Sequence, residues 1–155
     1  MGLDMYLTAS KYEPKSTYRD GEAKDNEVFT QVINAINAET FLSNDFPAVQ
    51  IEVNVGYWRK ANAIHGWFVQ NVQGGEDNCG RYYVSREALV ELQETCIKAL
   101  ADRDSNVLDP TDGFFFGSSE KDEYWETDLR NTVTMIGKLL KTVPESWTFY
   151  YQSSW

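Results

Sequence analysis

The seven residues Val49-Gln50-Ile51-Glu52-Val53-Asn54-Val55 alternate apolar and polar with a period of two. Only an extended chain puts every second side chain on one face, so this run reads as a strand with one face on a core and one toward water. Such a strand needs apolar partners elsewhere in the chain. Leu3–Ser10, Arg81–Val84 and Trp147–Tyr151 are β-prone and supply further strands.

Other segments carry the helical period. Val28, Val32, Ile33 and Ile36 share a face within 27–41, where Asp25 or Asn26 can cap the helix. Ser85 heads a strong helix to about Ala101, with Leu89, Leu92, Cys96 and Leu100 as its stripe. Trp125, Leu129, Val133, Ile136 and Leu140 mark another from Lys121 to Lys141, with Ser118 and Ser119 as caps and Pro144 beyond its end. Residues 57–72 read as a helix with Trp58, Ala61, Ile64 or His65, Phe68 and Val72 on one face. Tyr12–Asn26 is polar, with Pro14 and Gly21, and reads as a loop; Ser43–Pro47 reads as a turn. The expectation is an α+β fold: a small antiparallel or mixed sheet with three to four helices packed mainly on one face.

The chain has 155 residues, which suits a single globular domain over 1–155. Hydrophobic residues make up 42%, enough for a core without disulfide or metal staples. There is no apolar run of membrane-spanning length and no secretory leader, so no membrane association is expected. Cys79 and Cys96 have no CxxC spacing, which points to a reducing cytoplasm. Lys and Arg number 14 against 24 acids, a net charge of −10. That field repels phosphate backbones and argues against general nucleic-acid binding.

Four segments mix rings with polar tips. In the first, a helix would bring Trp58, Asn62 and His65 near one face, with Arg59 and Lys60 beside them. Rings for stacking next to a cation, an amide and an imidazole suit a planar, anionic, nucleotide-like ligand. The same spacing also describes an ordinary amphipathic helix. The second segment, Asp77 to Glu87, offers Asn78, Cys79, Arg81 and Arg86 before a helix start, where an anion can bind or a Ser can merely cap. The third, Gly113 to Ser119, sets Phe114, Phe115 and Phe116 between glycines and before Ser118. It is neither a Walker loop nor GxGxxG. The fourth is Tyr150 to Trp155, where Trp155 is expected to tuck back on the domain.

One histidine, His65, excludes a multi-His zinc site, and the two cysteines do not complete one. No metal and no cofactor are expected. A Cys79–His65 nucleophilic pair is conceivable. Asp4, Asp77, Asp112, Asp122 and Glu123 are carboxylates that could serve as acid or base.

Together, Met1-Gly2-Leu3-Asp4-Met5-Tyr6-Leu7, Gly56-Tyr57-Trp58-Arg59-Lys60-Ala61-Asn62, Ile64-His65, Trp67-Phe68, Asp77-Asn78-Cys79, Phe114-Phe115-Phe116-Gly117-Ser118 and Tyr150-Tyr151-Gln152-Ser153-Ser154-Trp155 resemble a family of small bacteriophage and prophage proteins of unknown role. The likeness spans nearly the whole chain. It implies a phage accessory protein in the cytoplasm of an infected bacterium, of the kind that counters host immunity.

The functional expectation is binding of a small nucleotide-like ligand, with sequestration of a host immune signal as its use. Trp58, Trp67 or Phe116 would stack on a base, Arg59, Lys60 and Arg81 would meet phosphate, and Asn62, His65, Asn78 and Ser118 would read polar edges. The alternatives are a protein–protein inhibitor of a host defence or regulatory protein, and a nucleotide-processing enzyme. A homo-oligomer with a shared pocket is compatible with all three.

Overall fold

The structure is a computed structural model that describes residues 2–42, 45–111, 113 and 116–155. Met1, Ser43 and Asn44 of the expected turn, and Asp112, Phe114 and Phe115 lie outside the described residues. The fold is α+β, and the described residues form four helices, a four-stranded antiparallel sheet and a two-stranded sheet. The sheet order is β4-β1-β6-β5, formed by Ala48–Arg59, Asp4–Pro14, Thr148–Ser154 and Arg81–Val84. Strands β2 (Ser16–Arg19) and β3 (Glu22–Asp25) form the small sheet. The residues group into two compact units, Met1–Ala9 with Val53–Trp155, and Ser10–Glu52. Among the described residues no helix is long and apolar enough to cross a membrane.

In the larger unit, Met5, Leu7 and Ala9 alternate inward along β1, as a half-buried strand requires. They join Phe149 and Tyr151 of β6 and three helices, α2 (Asn62–Asn71), α3 (Arg86–Ala101) and α4 (Glu123–Thr142), in one core. Helix α3 is capped by Ser85, whose hydroxyl accepts the Ala88 N–H at 3.0 Å, as its sequence promises. Helix α4 begins two residues later than expected. Its cap is Asp122, whose Oδ1 accepts from the Tyr124 and Trp125 N–H groups at 2.9 and 3.0 Å, while the Ser118 hydroxyl accepts from Glu120.

The main departure from the sequence reading is at 57–61. These residues do not start a helix. Strand β4 runs on through Arg59, and α2 begins at Asn62. Lys60 ends the strand with φ 57°, a left-handed conformation uncommon outside glycine, while its N–H still donates to Leu3 O at 2.8 Å. Period two and period 3.6 both place Trp58 inward, so spacing alone did not separate them. Helix α2 is buried on nearly every side, from Asn62 to Val69 with only Gly66 partly open, which explains why it shows no single apolar stripe.

In the smaller unit, part of the expected loop 12–26 is a hairpin. Asp20 (φ 55°) and Gly21 (φ 81°) join β2 to β3 with Arg19 opposite Glu22, a two-residue turn needing positive φ at both central positions. Helix α1 is Glu27–Ala35, shorter than its apolar period, followed by a 3-10 turn at Glu39–Phe41. Asn26 caps α1 through Oδ1 and donates from Nδ2 to Glu13 Oε2 and Pro14 O, so one amide fixes both the helix and the end of β1. Phe29, Ile33 and Ala38 with Val49 form this unit's own core.

Candidate functional site

His65 is fully buried at the end of the first turn of α2. Its Nδ1 lies 2.7 Å from the Tyr151 hydroxyl, and its Nε2 lies 2.9 Å from Asp77 Oδ2. Burial, then the charge of Asp77, pushes the Tyr151 phenol well above its ordinary range, so Tyr151 keeps its proton and donates it to Nδ1. With Tyr151 as the donor to Nδ1, the Nε2 hydrogen is the one that meets Asp77. The relay ends one step further on, because Asp77 Oδ1 accepts from the Trp155 indole N–H at 3.0 Å. Two donors on different oxygens hold one carboxylate in a single orientation, with its side chain still 27% exposed.

Each partner is placed by packing. The Tyr151 ring stacks on Phe68 at 3.9 Å and 10°, which fixes the phenol under His65. The Phe116 ring packs edge-to-face with both His65 and Trp155, at 5.2 and 6.1 Å between ring centres. Phe116 is itself held by Asn62, a buried amide that donates to Phe116 O at 3.1 Å and Ser118 O at 2.7 Å and accepts from the Thr111 N–H at 3.2 Å. Gly66 belongs to the same arrangement. A Cβ there would stand 2.1 Å from Thr111 Oγ1, so glycine lets the 111 segment close on α2.

Asp77, His65 and Phe116 face a cleft of about 380 Å³ that also reaches Gln70, Asn71 and Thr111. Its lining among the described residues includes no Lys or Arg, and its second acid, Asp109, is paired with Lys121 at 2.8 Å. Lys121 further donates to Arg103 O and Ser105 O, so its three hydrogens are committed. The cleft therefore offers an oriented acceptor, amides, a hydroxyl and an aromatic ring. It suits a ligand with N–H donors better than an anion.

The expected site residues separate into groups. His65 and Phe116 line the cleft, and Asn62 and Ser118 build the segment beside it through main-chain bonds. Trp58 is buried with its indole N–H on Thr132 Oγ1 at 2.8 Å, and Trp67 is a buried residue that reaches the cleft wall. Arg59 is exposed at the end of β4, and Lys60 lines a separate cavity of about 40 Å³. Arg81 lies over the Tyr150 ring at 4.2 Å, and Arg86 donates to Val143 O and Pro144 O at 2.7 Å each. Asn78 closes a turn, accepting from the Gly80 N–H and the Tyr82 hydroxyl at 2.9 Å each. The cations expected to meet phosphate thus do not converge on the cleft.

Cys79 does not pair with His65, whose two nitrogens go to Tyr151 and Asp77. Asp4 accepts from the Tyr57 hydroxyl on the neighbouring segment of β4. Among the described residues no group of three or more His, Cys, Asp or Glu could hold a metal ion. Sequence reasoning missed Tyr151 and gave Asp77 no special weight. The signals available were a tyrosine at an inward position of β6 and an Asx-rich loop after α2, and neither points to the other until the chain is folded. Trp155 does fold back, through its indole. No protein-family model, curated protein or solved structure matches this chain.

Proposed function

We propose that this protein binds a small nucleotide-like ligand by its base, in the cleft over Asp77. The observation that supports this reading is the carboxylate of Asp77, fixed by His65 and Trp155 at the wall of a cleft with aromatic and amide neighbours. A fixed carboxylate is complementary to adjacent N–H donors on a planar heterocycle, and holding it in place lowers the cost of ordering it on binding. Gln70, Asn71 and Thr111 would complete the polar edge. The phosphates, if present, would point out of the cleft toward solvent.

Binding without turnover fits the site better than catalysis. Both nitrogens of His65 are engaged inside the fold, Tyr151 is fully buried, and His65 acts to position Asp77. Sequestration of a host immune nucleotide by a phage accessory protein is the setting that the sequence resemblance suggests for such a binder.

The test is thermal unfolding against nucleobases, nucleosides and nucleotides, followed by calorimetry on any hit. A ligand present at 100 times its Kd stabilises the folded state by about 2.7 kcal/mol. The expected result is one base class that binds equally well as nucleoside and nucleotide, and that Asp77→Asn weakens at least tenfold while the fold survives. No binding across the panel, or binding indifferent to Asp77→Asn, refutes the proposal.

A further inference from the structure

The smaller unit carries a second concave surface. Tyr12 on β1, Tyr18 on β2 and Phe46 just before β4 are 63%, 81% and 88% exposed, and all three line one groove of about 300 Å³ with Pro14, Pro47 and Asp45. Two main-chain bonds hold its lining residues: the Lys15 N–H donates to Pro47 O, and the Asn26 N–H donates to Lys15 O, both at 2.9 Å. Ala23, also in the lining, stands opposite Tyr18 in the hairpin register. Scattered exposed aromatics are ordinary, but three around one concavity, with two prolines, form a patch of the kind that marks a binding site.

We infer that this groove binds an extended, proline-containing basic segment of another protein. Ridges of exposed rings admit flat pyrrolidines between them, and a polyproline II segment loses little entropy on binding because it is already extended. Such a segment has unused carbonyls, to which the Tyr12 and Tyr18 hydroxyls can donate. The groove's volume is at the small end for a pocket and accepts a few side chains rather than a helix face. Charge selects the sign of the partner. Residues 10–52 hold eight Asp and Glu against four Lys and Arg, an excess of four acids, and Asp45 is on the rim. Among the described residues Lys15 is the one basic residue in the lining, where Asp45 balances it, and the acid excess belongs to the unit around the groove.

The test pans a library of random displayed dodecapeptides on the full chain and counter-selects on a Tyr18→Ser/Phe46→Ser double variant. Both side chains are almost wholly exposed, so the variant should melt as the parent does. Peptides that bind the parent and not the variant are expected to be enriched severalfold in proline and in Lys or Arg over the naive library. Their affinity should fall as salt rises, because part of it is Coulombic. If discriminating peptides lack that enrichment, or if no peptide discriminates the two proteins, the inference is wrong.

Discussion

Asp128 provides the sharpest quantitative test of how the larger unit is held. It lies on α4, half-buried, and its side chain borders the small cavity shared with Asp122, Lys60 and Ser118. Burial, and after it the charge of Asp122, pushes its carboxyl from 3.8 up to about 6. The sign follows from linkage. A carboxyl with a raised folded value binds its proton more tightly when folded, so its contribution to stability is best at low pH and is lost as pH rises from 3.8 through about 6. Two pKa units at 1.36 kcal/mol each set a ceiling of about 3 kcal/mol on the penalty at pH 7. Solvent screens a group this exposed, so about 1 kcal/mol is the realistic figure. Asp128→Asn, which cannot ionise, is therefore expected to stabilise the protein by about 1 kcal/mol at pH 7, or about 2–4 °C in Tm for a chain of this size. At pH 4 the gain should vanish. Urea unfolding of both proteins at pH 4, 5, 6 and 7 measures this, and taking the difference cancels the other carboxylates. A difference that does not change with pH, or a variant less stable at pH 7, refutes the reasoning.

Other expectations follow from single contacts. Asn62→Ala removes three bonds to residues 111, 116 and 118, and should cost about 2–3 kcal/mol and speed hydrogen exchange at the Thr111 amide. Trp155→Phe keeps a ring near Phe116 but loses the N–H on Asp77; base affinity should fall about fivefold, one hydrogen bond's worth, with Tm nearly unchanged, as calorimetry and melting together would show. Burial pushes the Cys96 thiol up to about 12, so a disulfide reagent should label half-exposed Cys79 first and Cys96 only at the rate of unfolding. Gly21→Ala places a side chain at φ 81° and should cost about 1 kcal/mol, read as faster exchange confined to the β2–β3 amides.

Several parts of the fold were legible because a local rule decided them. Ser85 followed by the Leu89–Leu92–Cys96 stripe is a cap and a period on one continuous segment, and α3 follows both. Val49–Val55 lies within β4 as its alternation predicts, but the inward face is only partial: Val49, Ile51 and Val55 are half-buried while Val53 is exposed. The hairpin reads in the sequence only as part of a polar loop, because the charged residues around Asp20-Gly21 have no buried face to report, and all of Glu22–Asp25 is exposed. The helix expected from 57 failed because Trp58 is inward under either period, and a positive φ at Lys60 leaves no mark in a lysine.

The sequence by itself determined the α+β class, the cap and stripe of α3, and the presence of strands where β1 and β6 form, since these depend on neighbours a few residues apart. It also assembled His65, Asn62, Phe116 and Trp155 as residues worth watching. Only the tertiary structure decided what they do. Tyr151 and Asp77 meet His65 from 86 and 12 residues away, and Trp155 reaches Asp77 across 78. No local pattern encodes which hydrogen-bond donor will find which acceptor once water has been excluded, because that pairing is set by the packing of α2 against β6 and the loop between them. The same packing left Arg59, Lys60 and Arg81 out of the cleft, and with them the phosphate contacts that residue type alone had suggested.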